Sequence, residues 1–303
     1  MAVIEVQDLK KRYGRRTAVD DVSFSVDEGE IFGIIGTNGA GKTTIVECIE
    51  GLRAPDAGNV WVCGLDPQRD GRRLSQLLGA QLQESQLPAK ITVREAMELY
   101  SSFYRNPVDW RELIDTLHLN DKVGSQFRRL SGGQKQRLSI ALAMVGDPRV
   151  VVLDELTTGL DPQARRDVWG LVEGIRDRGV TVVLVTHFME EAERLSDRVA
   201  VIDGGRLVAL DTPSGLISRI SDGQRVRLRP EAPFDHALLT EIPEVTRVER
   251  AGNQIIVTGT PDVLPALAAS LAAHGIVATE LRAEPTTLDD AFVSLTGHRP
   301  LNS

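Results

Sequence analysis

The sequence contains one segment whose residue types and spacing suit the binding of a phosphate chain. Residues 36–43 read GTNGAGKT, a complete G-x-x-x-x-G-K-[ST] motif between a predicted strand and a predicted helix. Its glycines let backbone N–H groups surround a phosphate, and the N-terminus of the following helix adds a favourable dipole. We expect the Lys42 side chain to reach the β- and γ-phosphates of a nucleotide and the Thr43 hydroxyl to bind Mg²⁺. The predicted nucleotide-binding residues are Gly36, Thr37, Asn38, Gly39, Ala40, Gly41, Lys42, Thr43 and Thr44.

A pair of carboxylates follows a buried apolar strand. Asp154 and Glu155 end the run VVVLDE, at the carboxyl end of the strand, where α/β proteins bind their ligands. Asp154 suits Mg²⁺ held through water, and Glu155 suits the orientation or deprotonation of an attacking water molecule. Acidic residues also end strands simply because they meet solvent there. The phosphate-binding motif elsewhere in the chain favours the catalytic interpretation.

The segment LSGGQ, formed by Leu130, Ser131, Gly132, Gly133 and Gln134, allows two interpretations. Ser131 and Gln134 match an S-x-x-Q capping box, which is ordinary structure at the start of a helix. However, each glycine in a helix costs about 1 kcal/mol relative to alanine. Bare N–H groups at a helix N-terminus also suit a phosphate, so this segment is a candidate for a second phosphate contact.

Alternating strands and helices must position these residues. Apolar runs predict strands over 3–8, 21–27, 30–35, 59–63, 77–82, 149–153 and 180–185. Helices are predicted over 42–50, within 92–127, over 162–178 and over 189–195, with N-caps at Thr92, Asp109 and Asp161. A hairpin with an Asp203-Gly204 turn is predicted between strands 199–202 and 207–210. The pattern indicates a mostly parallel α/β sheet with an antiparallel layer at the N-terminus.

The pattern of predicted strands and helices changes after about residue 222. The remainder predicts strand 224–229, helix 234–241, strands 244–250 and 253–258, helix 261–274, strand 276–282 and helix 286–296. This β-α-β-β-α-β order fits a small α+β domain of the ferredoxin-like kind. We therefore divide the chain into 1–222, with a helical subdomain at about 84–145, and a C-terminal accessory domain at 223–303.

Composition limits the classes of protein to which the chain can belong. The 303 residues carry a formal charge of −8 with an isoelectric point near 5.3, which argues against non-specific binding to nucleic acid or anionic lipid. Two cysteines, Cys48 and Cys63, fit a reducing compartment rather than a disulfide framework. The N-terminus lacks the apolar stretch of a secretory signal, and no run of 18 apolar residues is present. We expect a protein on the cytoplasmic side with no membrane span.

Taken together, the motifs resemble those of ATP-binding-cassette (ABC) ATPase subunits. LSGGQ is followed 20 positions later by VVVLDE, and the phosphate-binding loop lies upstream. The resemblance covers residues 3 to about 220 and implies an α/β P-loop NTPase cassette that binds ATP with Mg²⁺. It also implies catalytic roles for Lys42, Glu155 and His187, the last as the histidine that contacts the γ-phosphate.

The resemblance assigns three further roles. Tyr13 corresponds to the aromatic residue that stacks on adenine, and Asp161 lies in the loop that crosses to the opposite subunit, although it also serves as an N-cap. Gln83 corresponds to the glutamine that touches Mg²⁺ and senses the membrane partner, with Gln81 and Gln86 as nearby alternatives. The Mg²⁺ residues implied are thus Thr43, Gln83 and Asp154.

The chain departs from the family at Leu156, where a proline usually follows the glutamate, so we expect a change in the rigidity of this loop. Residues 283–297, AEPTTLDDAFVSLTG, are similar to the C-terminal extension of drug-resistance exporter ATPases of the daunorubicin/doxorubicin type. That similarity implies a separate membrane chain of the ABC-2 exporter kind. A generic dimerisation or packing role for this extension is the alternative.

The resemblance implies an ATPase that dimerises head to tail around two ATP molecules, with each LSGGQ segment closing over the other subunit's nucleotide. Its partners would be a second cassette, most simply a second copy, and polytopic membrane permease subunits, without nucleic acid. The expected location is peripheral, at the cytoplasmic face of the membrane, and the expected cargo is drug-like or lipid-like. The alternatives are a non-transport ABC ATPase acting on DNA or ribosomes, a nucleotide-binding regulatory module and an importer subunit.

Overall fold

The computed structural model describes residues 1–81, 87–220, 223–232, 234–235, 237–252 and 254–297. The strands are β1 Ala2–Tyr13, β2 Arg16–Asp27, β3 Ile31–Ile35, β4 Ala57–Val62, β5 Leu78–Gln81, β6 Val150–Asp154, β7 Thr181–Thr186, β8 Arg198–Asp203, β9 Arg206–Asp211, β10 Gln224–Pro230, β11 Val245–Ala251, β12 Gln254–Gly259 and β13 Ala278–Glu284. The α-helices are α1 Lys42–Ile49, α2 Gly71–Leu74, α3 Val93–Ser101, α4 Trp110–Thr116, α5 Gly132–Met144, α6 Pro162–Asp177, α7 Met189–Leu195, α8 Pro213–Ile220, α9 Ala237–Thr240, α10 Val263–Ala273 and α11 Leu288–Thr296.

A six-stranded sheet in the order β5-β6-β7-β3-β8-β9 carries the predicted site residues. Its neighbouring strands run parallel except for β9, which pairs antiparallel with β8. The sheet is buried on both faces, because Val150 and Val152 of β6 pack into one hydrophobic core while Val151 and Leu153 pack into another. This double burial explains the continuous apolar runs of the sequence and confirms the predicted parallel α/β sheet.

The antiparallel N-terminal layer is also confirmed. Strands β2, β1 and β4 form a three-stranded sheet in that order. In β2, the alternate residues Val22, Phe24 and Val26 are buried, as expected for a strand with one face on the core. The Phe24 ring stacks on Phe32 of β3 at 5.1 Å between centroids. The layer thereby shares a core with the main sheet, to which α1 also contributes.

Helices α3 to α6 pack on the opposite face of the main sheet. The predicted N-caps are observed: Thr92 forms a complete capping box with Glu95, and the Asp109 side chain accepts a hydrogen bond from the Arg111 amide. At α6, the Asp161 side chain accepts hydrogen bonds from two amides, with Pro162 at the first helical position. Local capping chemistry therefore sets where these helices begin.

The predicted position of one turn is wrong by one residue. Asp203 pairs with Arg206 as the last residues of β8 and the first of β9, so the turn consists of Gly204 and Gly205. Both glycines have positive φ, 54° and 80°, as a two-residue turn of type I′ requires. The glycine pair therefore takes the central positions, and Asp203 remains in the ladder.

The chain forms two compact units, Met1–Pro213, with which residues 295–297 also group, and Ser214–Ser294. In the second unit, the antiparallel sheet β11-β12-β10-β13 packs on its own hydrophobic core, which includes residues of α9 and α10. The element order is the predicted β-α-β-β-α-β, although α9 is shorter than the predicted helix 234–241. Within the described ranges, no helix has the length and apolar character needed to cross a bilayer.

Candidate functional site

A cleft of about 430 Å³ lies where the turn after β3 meets the β1–β2 hairpin. Most of its lining comes from the predicted nucleotide-binding residues, together with a predicted catalytic carboxylate. The lining residues are Tyr13, Arg16, Ala18, Asn38, Gly39, Gly41, Lys42, Thr43, Thr44 and Glu155. The structure therefore brings together residues that are distant in sequence, at the carboxyl end of the sheet.

Close backbone contacts explain two glycines of the phosphate-binding loop. A Cβ atom on Gly36 would lie 2.3 Å from the Ile202 carbonyl oxygen, and one on Gly41 would lie 2.4 Å from the Ala18 carbonyl oxygen. Gly41 also has φ 109°, a conformation that side chains disfavour. No side chain caps the N-terminus of α1, which begins at the next residue. Its first N–H groups are therefore available to an anion, as the motif predicts.

The Lys42 side chain is held inside the loop. Its Nζ atom donates hydrogen bonds to the carbonyl oxygens of Gly36 (2.8 Å) and Thr37 (3.0 Å). Burial lowers the pKa of this ammonium, and the carboxylates of Glu155 and Asp154 oppose that effect. The loop thus positions a buried positive charge beside two negative ones before any phosphate is present.

Asp154 ends β6 and is buried. Burial raises the pKa of its carboxyl to about 6, the neighbouring Glu155 adds to the rise, and Lys42 opposes it. The exposed Thr43 hydroxyl and this carboxyl are hard oxygen donors, the type that Mg²⁺ prefers. The donor set therefore fits the predicted Mg²⁺. Gln83, the third predicted ligand, and Gln86 lie outside the described residues, whereas Gln81 is a buried residue at the end of β5.

Glu155 and His187 face each other across the ends of two adjacent strands. His187 Nδ1 lies 3.3 Å from Glu155 Oε1, and both side chains are largely buried. The contact lacks hydrogen-bond geometry, and Nδ1 has no hydrogen-bond partner among the described residues. Glu155 has φ 49°, a conformation that costs about 1–2 kcal/mol in a non-glycine residue.

Leu156 anchors this strained turn. Its side chain is fully buried in the core beneath the helices, so packing fixes the chain immediately after Glu155. The expected change in the rigidity of this loop stays a prediction.

The end of the cleft at the β1–β2 hairpin includes one residue that the sequence predicts and one that it misses. Tyr13 is 40% exposed, with the Arg53 guanidinium 5.5 Å and the Lys11 ammonium 5.9 Å from its ring centroid. Arg16 also lines the cleft and donates a hydrogen bond to the Gly39 carbonyl oxygen. Its place three residues after Tyr13, on the returning strand of the hairpin, is the signal that could have identified it.

The LSGGQ segment forms the predicted capping box but does not line the cleft of its own chain. The Ser131 hydroxyl accepts a hydrogen bond from the backbone N–H of Gln134, and the side-chain oxygen of Gln134 accepts one from the backbone N–H of Ser131. Cβ atoms on Gly132 and Gly133 would meet Leu160 and Ala164 at 3.4 and 3.5 Å, which is ordinary contact. Packing within the chain therefore does not require these glycines, and their contact with a partner's nucleotide stays a prediction.

Asp161 is the N-cap of α6. Its Oδ1 atom accepts hydrogen bonds from the amides of Gln163 and Ala164, which lower the pKa of the carboxyl. The geometry supports the capping role, and the predicted contact with an opposite subunit stays a prediction.

Sequence comparisons give consistent matches. A family model described as ABC transporter matches residues 19–158. The chain is 36% identical to the Nod factor export ATP-binding protein I of Rhizobium etli, over 98% of this chain and 94% of that protein. It is also 36% identical to the protein of the same name from Ralstonia nicotianae, over 97% of this chain and 94% of the relative.

Solved structures match the fold of more than two thirds of the chain. One, described as the ATP-binding subunit of an ABC transporter, is 27% identical with a TM-score of 0.66, over 72% of this chain and 93% of that one. Another, described as a dimeric bacterial ABC transporter cassette, is 25% identical with a TM-score of 0.62, over 69% of this chain and 98% of that one.

Proposed function

Because the chain belongs to the family of ATP-binding subunits of ABC transporters, we propose that its ATP hydrolysis drives export through separate membrane subunits. The chain is an ATPase that uses ATP with Mg²⁺. The observation that carries the proposal of export is the match along nearly the whole chain, second unit included, to proteins named for export.

The cargo is the finer part of the proposal. The resemblance of residues 283–297 to drug-resistance exporters favours a drug-like or lipid-like substrate, whereas the relatives carry the name of Nod factor export. Export is the point on which both agree. We propose a drug-like or lipid-like cargo, whose selection lies with the membrane subunits.

The residues in and beside the cleft would have different roles during hydrolysis. The loop amides and Lys42 hold the phosphates, and the Tyr13 ring stacks on adenine. Thr43, Asp154 and Gln83 would hold Mg²⁺, which when bound neutralises charge on the β- and γ-phosphates. Glu155 accepts the proton of the attacking water, and His187 beside it contacts the γ-phosphate.

A second copy of the chain would complete the site. The LSGGQ segment does not line its own cleft, yet its exposed Ser131 and Gly132 lie at a helix N-terminus that suits a phosphate. In a two-fold symmetric dimer, each LSGGQ segment would lie over the cleft of the other copy, and the loop with Asp161 would lie near the interface between the copies. The similarity to a cassette described as dimeric supports this arrangement.

Membrane subunits would bind near Gln83 and the helical region 92–127, within the cassette of residues 1–222. Two exposed apolar side chains in this region, Leu99 and Phe103, are 46% and 61% exposed. Their position within the predicted docking region makes them candidates for contact with a membrane subunit. We place the protein as a peripheral subunit at the cytoplasmic face of the membrane, with residues 223–303 as an accessory domain.

Capture of the tagged full-length chain from detergent-solubilised native membranes tests this proposal. We expect a polytopic membrane protein to co-purify, identified by mass. Phe103→Ser should reduce this capture while ATP binding is unchanged. Val277→Ser, which removes a 58% exposed side chain in the second unit, is the matched control and should retain it. Recovery only with ribosomal or DNA-associated proteins would contradict export while leaving the ATPase intact.

A further inference from the structure

Glu191 carries a fully buried carboxyl in a helix that begins with acidic residues. Its neighbour Glu190 is largely exposed, with 73% of its side-chain surface accessible. Burial raises the pKa of Glu191, and hydrogen bonding and the nearby Arg165 charge oppose that rise. Because a buried carboxyl is costly, its position calls for a specific role.

The contacts of this carboxyl come from three separate segments. The Trp169 indole N–H, in α6, donates a hydrogen bond of 3.1 Å to Glu191 Oε1. The buried hydroxyls of Thr157 and Thr186 also face the carboxyl and favour its ionised form. Neither gives Oε2 a hydrogen bond of normal geometry, so that oxygen is buried without a partner among the described residues.

Two of the three segments carry a residue of the hydrolytic site, and the third begins beside a residue of the proposed subunit interface. Thr157 lies two residues after Glu155, Thr186 immediately precedes His187, and α6 begins next to Asp161. A second contact joins the same parts, since the Arg165 guanidinium of α6 lies 4.8 Å from the Phe188 ring centroid.

We propose that Glu191 is a positioning residue for ATP hydrolysis, whose buried carboxyl ties the His187 turn to α6 and to the segment after Glu155. The inference rests on the roles proposed above for Glu155 and His187. It does not depend on export, because the two residues that Glu191 would position, Glu155 and His187, are proposed to act in ATP hydrolysis.

The geometry explains why the turn that carries His187 needs a contact to hold it in place. His187 lies in a turn between β7 and the short helix α7, and it makes no hydrogen bond through Nδ1 within the described chain. The Phe188 amide donates to the Thr186 hydroxyl, which orders only the start of the turn. Glu191 lies one helical turn later and faces inward, so its link to Trp169 fixes the other end.

The test compares three variants of the full-length chain in steady-state ATPase assays. Glu191→Ala should lower kcat about ten-fold or more with KM for ATP within about two-fold, as expected when an orienting group is removed. Glu191→Gln should retain at least about half of kcat, because the amide oxygen still accepts from Trp169 and the volume is kept. Trp169→Phe removes the N–H donor and should lower kcat in the same direction.

Glu193→Ala is the matched control, since it removes an exposed carboxylate from the same helix and should leave kcat unchanged. Glu155→Gln, measured in parallel, distinguishes a failure of the catalytic role of Glu155 from a failure of the positioning role of Glu191. If Glu155→Gln hydrolyses ATP normally, the proposed catalytic role fails. If it is inactive and Glu191→Ala is fully active, only the positioning role fails.

Three results would overturn the inference: an unchanged kcat in Glu191→Ala, an equal loss in Glu191→Ala and Glu191→Gln, or a loss of kcat matched by an equal weakening of ATP binding. Circular dichroism and thermal unfolding establish that each variant is folded. If Glu191→Ala does not fold, Trp169→Phe decides the question, and an unchanged kcat in that variant overturns the proposal.

Discussion

Three ionisable side chains in and beside the cleft are buried enough for burial to govern their protonation. Burial lowers the pKa of Lys42 and raises the pKa of Asp154 and Glu50, to about 6 and about 7. Opposite charges compensate part of this effect at Lys42 and Asp154, whereas the negative charges of Asp154 and Glu47 add to it at Glu50. At the scale of single residues, the site is therefore sensitive to pH in a range where ordinary carboxyl groups are fully ionised.

Glu50 should lower the stability of the folded chain at neutral and alkaline pH. It caps the C-terminus of α1, and neither carboxyl oxygen has a hydrogen-bond partner among the described residues. Since its pKa is raised in the folded state, stability should fall as pH rises from about 4.5 to about 7 and then level off. Glu50→Gln should raise the free energy of unfolding at pH 8 by about 1–3 kcal/mol.

Denaturant unfolding of the wild type and Glu50→Gln at pH 5 and pH 8 measures this effect. The difference between the two proteins should be larger at pH 8. An equal difference at both values would contradict the assignment.

Asp154 should make Mg²⁺-dependent ATP binding weaken in acid. Its carboxyl must be ionised to hold Mg²⁺, and its pKa in the free protein is about 6, so affinity should fall as pH drops from 7 to 5. Asp154→Asn should bind MgATP more weakly at pH 7 and lose this part of the pH dependence. Titration of each protein with a fluorescent ATP analogue in the presence of Mg²⁺ measures this affinity at each pH. The same titration in EDTA is the control. An unaltered pH profile in Asp154→Asn would argue against the role.

At the scale of elements, the N-terminus of α5 combines a regular cap with two glycines that its own chain does not require. Gly133→Ala should therefore leave the free energy of unfolding unchanged or slightly higher, because the new Cβ meets Ala164 at an ordinary distance. ATPase activity should nonetheless fall about ten-fold or more, since a phosphate from another copy must approach these amides.

Gly174→Ala is the control for this prediction. Gly174 lies inside α6, and a Cβ there would have no neighbour within 4 Å. The substitution should raise stability by about 0.5–1 kcal/mol and leave activity unchanged. Normal ATPase activity in Gly133→Ala would show that the segment does not contact a nucleotide.

Local chemistry made the helix starts predictable. Thr92, Asp109, Ser131 and Asp161 all cap helices as the sequence predicts, because a cap depends on residues within the same turn. The hairpin turn was misplaced because two glycines compete for the positions with positive φ, and the choice depends on strand register.

Long-range packing made other features unpredictable. Glu191 reads as one of several acidic residues on a solvated helix, and only the approach of Trp169 from a different helix shows its burial. Arg16 enters the cleft because the hairpin folds back over the phosphate-binding loop. The phosphate-binding motif was predictable because its function is encoded in adjacent residues.

At the scale of the whole molecule, the proposed hydrolytic site is built from two copies of the chain. One cleft holds the phosphate-binding loop, Glu155 and Tyr13, while the LSGGQ segment lies away from it. We propose that a single copy binds ATP, and that enclosure of the γ-phosphate and efficient hydrolysis depend on a partner copy. This arrangement would link ATP binding to association and hydrolysis to separation, the motion that membrane subunits would use.

The most direct test measures the molar mass of Glu155→Gln by light scattering with saturating ATP and Mg²⁺. This variant should bind ATP without hydrolysing it, so we expect its molar mass to be that of a stable dimer. The wild type in ADP is the control and should be a monomer. Adding Gly133→Ala to Glu155→Gln should weaken the dimer if the LSGGQ segment closes over the partner's nucleotide. A Glu155→Gln protein that binds ATP and remains monomeric at saturation would contradict the account.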